Sequence, residues 1–109
     1  MAKASRGIRG VKSGLSQFSR DVYESGATYT TFQNNKKISI EVEHGEFEQG
    51  KGSMISLYVN DKPTGTNMFV QNQGVSISGG TTKYRMQDIE RRIENNLQYY
   101  LEVAGKIKE

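Results

Sequence analysis

Apolar positions along this chain change their spacing twice, and each change marks a change of predicted structure. From Val11 to Ser25, the residues Val11, Leu15, Phe18 and Val22 advance by four, three and four, which lines up one face of an α-helix. Gly26 then supplies a residue able to adopt positive φ and end it. Gly14 weakens the middle of that helix by about 0.5–1 kcal/mol relative to alanine, so packing has to hold it. An N-terminal helix is expected here.

The period then shortens. Ala27 to Gln33 is rich in Thr, Tyr and Phe, and Asn34-Asn35 marks a turn. Lys37 to His44 alternates, with Ile38, Ile40 and Val42 on one side and Ser39, Glu41 and Glu43 on the other. Gly45 to Gly52 reads as a flexible connection with three glycines. Ser53 to Asn60 alternates again through Ile55, Leu57 and Val59, and Asn60-Asp61-Lys62-Pro63 reads as a turn. Met68-Phe69-Val70 and Val75-Ser76-Ile77 are shorter strands around the turn Asn72-Gln73-Gly74. The sum is an antiparallel meander of about five strands.

After Gly79-Gly80 the helical period returns. Met86, Ile89, Ile93, Leu97, Tyr100, Ala104 and Ile107 repeat every three or four residues, which predicts a long C-terminal helix packed on one face of the sheet. Residues 83 to 106 would extend about 36 Å, against about 23 Å for a seven-residue strand. The helix is therefore expected to overhang its sheet. Leu101 and Val103 lie off the main stripe, and a two-fold homodimer is the expected cover. The alternative is that the N-terminal helix folds back over the overhang within one subunit.

The fold class is thus α+β, with residues 1–10 as a flexible basic arm and 11–109 as a single domain. A length of 109 residues is too small to divide into two stable cores. No apolar run approaches the ~20 residues that cross a bilayer, and Met1 to Arg6 leads into no apolar signal core, so a protein free of membranes is expected. The absence of cysteine removes disulfides, thiolate nucleophiles and thiolate metal sites and fits a reducing cytoplasm.

Charge is unevenly distributed. The net charge is +3, but residues 1–37 carry +5, residues 38–80 carry −3 and residues 81–109 carry +1. A segregated field can draw an anionic ligand to one face and turn it away from another.

Several constellations bear on chemistry. His44, the single histidine, lies at a strand end with no G-x-S-x-G elbow or ordered acid partner, which leaves catalysis without a constellation. Glu41 and Glu43 share a strand face about 7 Å apart, but a solvated face explains them better than a metal site. Gly79-Gly80-Thr81-Thr82 opens into the long helix, where Thr82, Lys83 and Arg85 could join free backbone N–H groups in holding an anion; no phosphate-loop motif is present. Arg85, Arg92 and Tyr99 recur at seven-residue intervals with Asn96 beside them, combining phosphate-binding forks with a ring that can stack on a base. Tyr29, Phe32, Tyr58 and Phe69 are the aromatics expected to decorate the sheet beside Lys36 and Lys37.

These features lead to a non-catalytic protein that binds a phosphate-bearing ligand, nucleic acid first, and needs no cofactor or metal. Arg6, Arg9 and Lys12 of the arm would meet phosphates, with Lys36, Lys37, Tyr58, Phe69, Thr82, Lys83, Arg85, Arg92, Asn96 and Tyr99 holding strand or bases. A second reading is a dimer that sequesters a small nucleotide or cyclic dinucleotide, using loops at 60–67 and 72–74 and the start of the helix. A third is an inhibitor or assembly factor that grips a protein partner.

Overall fold

The computed structural model describes residues 14–71 and 81–107, and of residues 81–85 the backbone alone. A single 3-10 turn, Gly14–Gln17, leads into five strands: β1 (Ser19–Tyr23), β2 (Gly26–Gln33), β3 (Lys36–Phe47), β4 (Gly50–Val59) and β5 (Lys62–Gln71). The helix α1 (Thr81–Lys106) follows. The strands pair in chain order as one antiparallel meander.

Two-residue turns join the strands, and their chemistry is visible in the backbone. Asn34 and Asn35 have φ of 53° and 65°, and Asn60 and Asp61 have 54° and 67°. Two successive positive φ angles match the right-handed twist of the flanking strands, and Asn and Asp tolerate them best. Asn60 also locks its turn, since its Oδ1 accepts the Lys37 backbone N–H at 3.0 Å. At Gly26, φ is 156° and an added Cβ would lie 1.9 Å from the Val42 carbonyl oxygen, so a side chain is excluded where β2 passes β3.

The expected N-terminal helix is absent. Within 11–25, the described residues form the short turn and β1, and residues 11–13 lie outside the description. Ser16, Ser19 and Gly14 are poor helix formers, whereas Val22-Tyr23 favours a strand, and pairing with β2 meets the backbone's hydrogen-bonding needs. The three-residue spacing of Leu15 and Phe18 is still used. A 3-10 turn sets i and i+3 on one side; Phe18 N–H bonds the Leu15 carbonyl at 2.9 Å, and Phe18 is buried with Leu15 packed against the core. Val22, the fourth residue of the expected stripe, is 52% exposed on an edge strand.

Two expected loops are strand. Gly45 to Gly52 continues β3 and β4 to a tight turn at Glu48-Gln49, because Gly45 faces Gly52 and two phenyl rings fill the space that these glycines leave. The expected loop at 60–67 is a two-residue turn followed by β5, whose Pro63 sits on an edge strand where a missing N–H costs no central ladder bond. The expected strand at 75–77 and the turn at 72–74 lie outside the described residues.

These extensions remove the reason for a dimer. At twelve residues β3 spans about 40 Å, and the 26-residue helix about 39 Å, so the sheet is long enough for the helix. Leu101, Val103 and Ile107 pack against the same core as the main stripe instead of presenting a second apolar side. Among the described residues, the helix overhang on which the expected dimer rested is not found.

The helix covers one face of the sheet. Met86, Ile89, Ile93, Leu97, Tyr100 and Ala104 are buried against Ala27, Tyr29, Ile38, Ile40, Val42, Ile55, Leu57, Val59 and Val70. Polar ties fix its position. Tyr29 Oη donates to Glu90 Oε2 at 2.5 Å, and Arg20 Nη1 reaches the same oxygen at 2.8 Å, joining β1 and β2 to the helix. At the other end Lys36 Nζ donates to the carbonyls of Ala104, Gly105 and Ile107, satisfying acceptors that a helix C-terminus leaves open. No helix of the described residues is long and apolar enough to cross a membrane.

Candidate functional site

Alternation along β2, β3 and β4 turns the side chains not beneath the helix the other way, β5 rejoining the register across an irregularity opposite Ser56–Tyr58, and no described element covers that second face. The pairing register puts Tyr23, Gly26, Glu43, Met54 and Phe69 in one row across the sheet. Asp21, Thr28, Glu41, Ser56 and Asn67 form the next, and Ser19, Thr30, Ser39, Tyr58 and Pro63 the third. Phe32 and Lys37 pair beyond them.

Aromatic groups stand at the ends of this face. Phe32 is 69% exposed and Tyr23 44% exposed. At the far end Phe47 and Phe69 meet edge to face, with centroids 5.9 Å apart. A Cβ on Gly52 would come within 2.8 Å of the Phe69 ring, and one on Gly45 would lie 3.9 Å from Phe47, so these rings cover glycine gaps in the sheet. Phe69 is therefore half-buried structure as well as surface.

The centre is polar and concave. Thr28, Thr30, Lys37, Ser39, Glu41, Tyr58 and Asp61 line an open depression of about 300 Å³. Lys37 Nζ is held by Asp61 Oδ1 at 3.0 Å. Thr28 Oγ1 and Tyr23 Oη share a hydrogen bond of 3.0 Å. The Tyr58 phenol is pushed above its ordinary pKa, first by desolvation and then by the charge of Glu41, its hydrogen bond to Glu41 and the charge of Glu43. Among the described residues no cation pairs with Glu41 or Glu43. The centre of the face is therefore negative.

The residues expected to bind do not gather on one surface. Tyr58, Phe69 and Lys37 belong to the uncovered sheet face. Arg92, Asn96 and Tyr99 lie on the solvent side of the helix, across the core from it; Arg92 is exposed, Tyr99 is 55% exposed, and the Asn96 amide donates to the Arg92 carbonyl at 2.9 Å. Lys36 is engaged at the helix end. Tyr29, expected among the sheet decorations, is buried beneath the helix at 2% exposure. Arg6, Arg9 and Lys12 lie outside the described residues, as do the side chains of Thr82, Lys83 and Arg85. Sequence reasoning missed Thr28, Thr30, Ser39, Glu41 and Asp61 as one pocket. The signal was the hydroxyl-rich run Thr28 to Thr31 opposite the polar positions of Lys37 to Glu43, which becomes a pocket only once the register is known.

His44 and Ser53 do form a pair, with Nδ1 and Oγ 2.7 Å apart. Ser53 is fully buried, so its oxygen has no path to a substrate, and the pair ties β3 to β4 on the helix side. Among the described residues no group of three or more His, Asp or Glu side chains is placed to hold a metal ion. No protein-family model matches the chain, and no curated protein or solved structure is significantly similar to it.

Proposed function

We propose that this chain is a non-catalytic binding module that grips a protein partner with the uncovered face of its sheet. The observation that carries the reading is the composition of that face, where exposed Phe32 and Tyr23 and the Phe47–Phe69 pair flank a concave, negatively charged centre. Aromatic residues are favoured at protein interfaces because they bring large contact area at little entropic cost. The central carboxylates speak against nucleic acid here, since phosphates approaching Tyr58 would meet Glu41 and Glu43, with which no cation pairs among the described residues. Five strands at about 4.8 Å and a β4 of about 33 Å give a face on the order of 600 Å². That suits a peptide segment or a modest protein surface better than an obligate subunit contact.

Phosphate binding stays with a different surface as a second reading. Arg92 has no carboxylate partner among the described residues, unlike Arg20 and Arg91, and the exposed Tyr99 lies two helical turns beyond it. One experiment separates the two. The immobilised chain and its Phe32→Glu and Arg92→Glu variants are exposed to an extract of the cells that make it, and the bound material is read by mass spectrometry and by absorbance of nucleic acid. A specific protein retained by the wild type and by Arg92→Glu but lost from Phe32→Glu supports the sheet face. Nucleic acid lost only from Arg92→Glu overturns it in favour of the helix.

A further inference from the structure

The central depression has a chemistry more specific than the face around it. Its walls hold the hydroxyls of Thr28, Thr30 and Ser39, the Tyr58 ring and phenol, and the Glu41 carboxylate, with Glu43 two positions along the same strand face. Among its described lining residues the one cation, Lys37, is bonded to Asp61 at 3.0 Å. A carboxylate, several hydroxyl acceptors and an aromatic ring around one open hollow form a receptor for a delocalised cation. A guanidinium brings five N–H donors in a plane, and its flat face can lie on the tyrosine while its edge meets the carboxylate. An ammonium is more strongly hydrated and presents a point charge, which uses fewer of these acceptors.

We infer that the depression between Lys37 and Glu41 is the seat of an arginine side chain projected by the partner, with Glu41 as its counter-ion and Tyr58 as its stacking surface. The inference rests on the sheet-face reading and names what that face recognises. It gives the aromatic ends a role as well, since apolar residues beside the partner's arginine would meet Phe32 on one side and the Phe47–Phe69 pair on the other.

The test titrates the full chain with N-acetyl-arginine amide, with the lysine analogue and with the neutral isostere N-acetyl-citrulline amide, read by amide chemical shifts. Arginine amide is expected to move the signals of Thr28, Thr30, Ser39 and Glu41 saturably, with a Kd in the millimolar range suited to one small side chain. Citrulline amide is expected to leave them in place. Glu41→Gln, which keeps the shape and removes the charge, should weaken arginine amide by at least about tenfold. Equal shifts from arginine and citrulline amides, or none from either, overturn the arginine seat in the wild-type chain without recourse to a variant. If that happens while Phe32→Glu still abolishes partner capture, the pocket assignment fails and the binding face survives. Saturable, charge-dependent binding of arginine amide upholds the pocket even where Phe32→Glu leaves capture intact and the wider face fails.

Discussion

On β3 the two faces of one sheet can be compared residue by residue. Ile38, Ile40 and Val42 are at most 3% exposed beneath the helix, while their neighbours Glu41 and Glu43, on the other side, have no cation partner among the described residues. The first face is a jigsaw of aliphatic side chains closed by Tyr29, Glu90, Arg20 and Lys36. The second carries large rings and hydroxyls with nothing described above them. Folding free energy is concentrated on the covered side, since apolar burial is its main source. The uncovered side is consequently free to carry a pattern that stability does not require, which is the reason for proposing it as the binding face.

The largest expected effect lies under the helix. Ile93 is fully buried, and Ile93→Ala should destabilise the chain by about 3 kcal/mol, through lost burial and the cavity left behind, measured by urea unfolding. A loss below about 1 kcal/mol would mean that the helix is not seated on the sheet as described.

Alkaline pH sharpens the same contrast. Burial lifts the Tyr100 phenol to about 12, and burial together with Glu90 raises that of Tyr29, from the ordinary value of 10.0. The folded state thus holds these protons more tightly than the unfolded chain does. The resulting stability is fully present below pH 10 and is lost as pH rises from there through the folded-state values, at about 1.4 kcal/mol per pH unit for each group. Unfolding curves across this range should show the decline, and Tyr29→Phe should make it shallower. Unchanged stability above pH 10 would place these phenols in water.

A smaller effect is expected at Tyr100 itself below pH 10. Its hydroxyl is buried without a hydrogen-bond partner among the described residues, so Tyr100→Phe removes an uncompensated desolvation cost and should stabilise the chain by up to about 1 kcal/mol or leave it unchanged. A clear loss of stability would reveal a partner for that oxygen. The smallest effect belongs to the uncovered face, where Phe32→Ser should change the unfolding free energy, read by urea unfolding, by no more than about 0.5 kcal/mol.

Much of the covered face was legible in the sequence, because burial imposes periodicity. The three-and-four spacing of Met86 to Ala104 and the alternation of Ile38, Ile40 and Val42 each report one buried side directly. The first strand was hidden by coincidence, since Leu15, Phe18 and Val22 fit a helical spacing while Leu15 and Phe18 satisfy it in a single 3-10 turn. Gly45 and Gly52 misled for a different reason: glycine suggests a loop when read alone, but here the two face each other under phenyl rings. The pocket was the least legible feature. Thr28, Ser39, Glu41 and Tyr58 come from three strands, and only the register of their pairing brings them together.

The central claim is that the face opposite the helix meets the partner, and photo-cross-linking tests it most directly. A benzoylphenylalanine placed at Phe32 on the sheet face, or at Tyr99 on the helix, is irradiated in the cells that make the chain. The account predicts a discrete protein adduct from position 32, suppressed by Glu41→Gln, and no such adduct from position 99. An adduct formed only from position 99, whether with protein or nucleic acid, would contradict it.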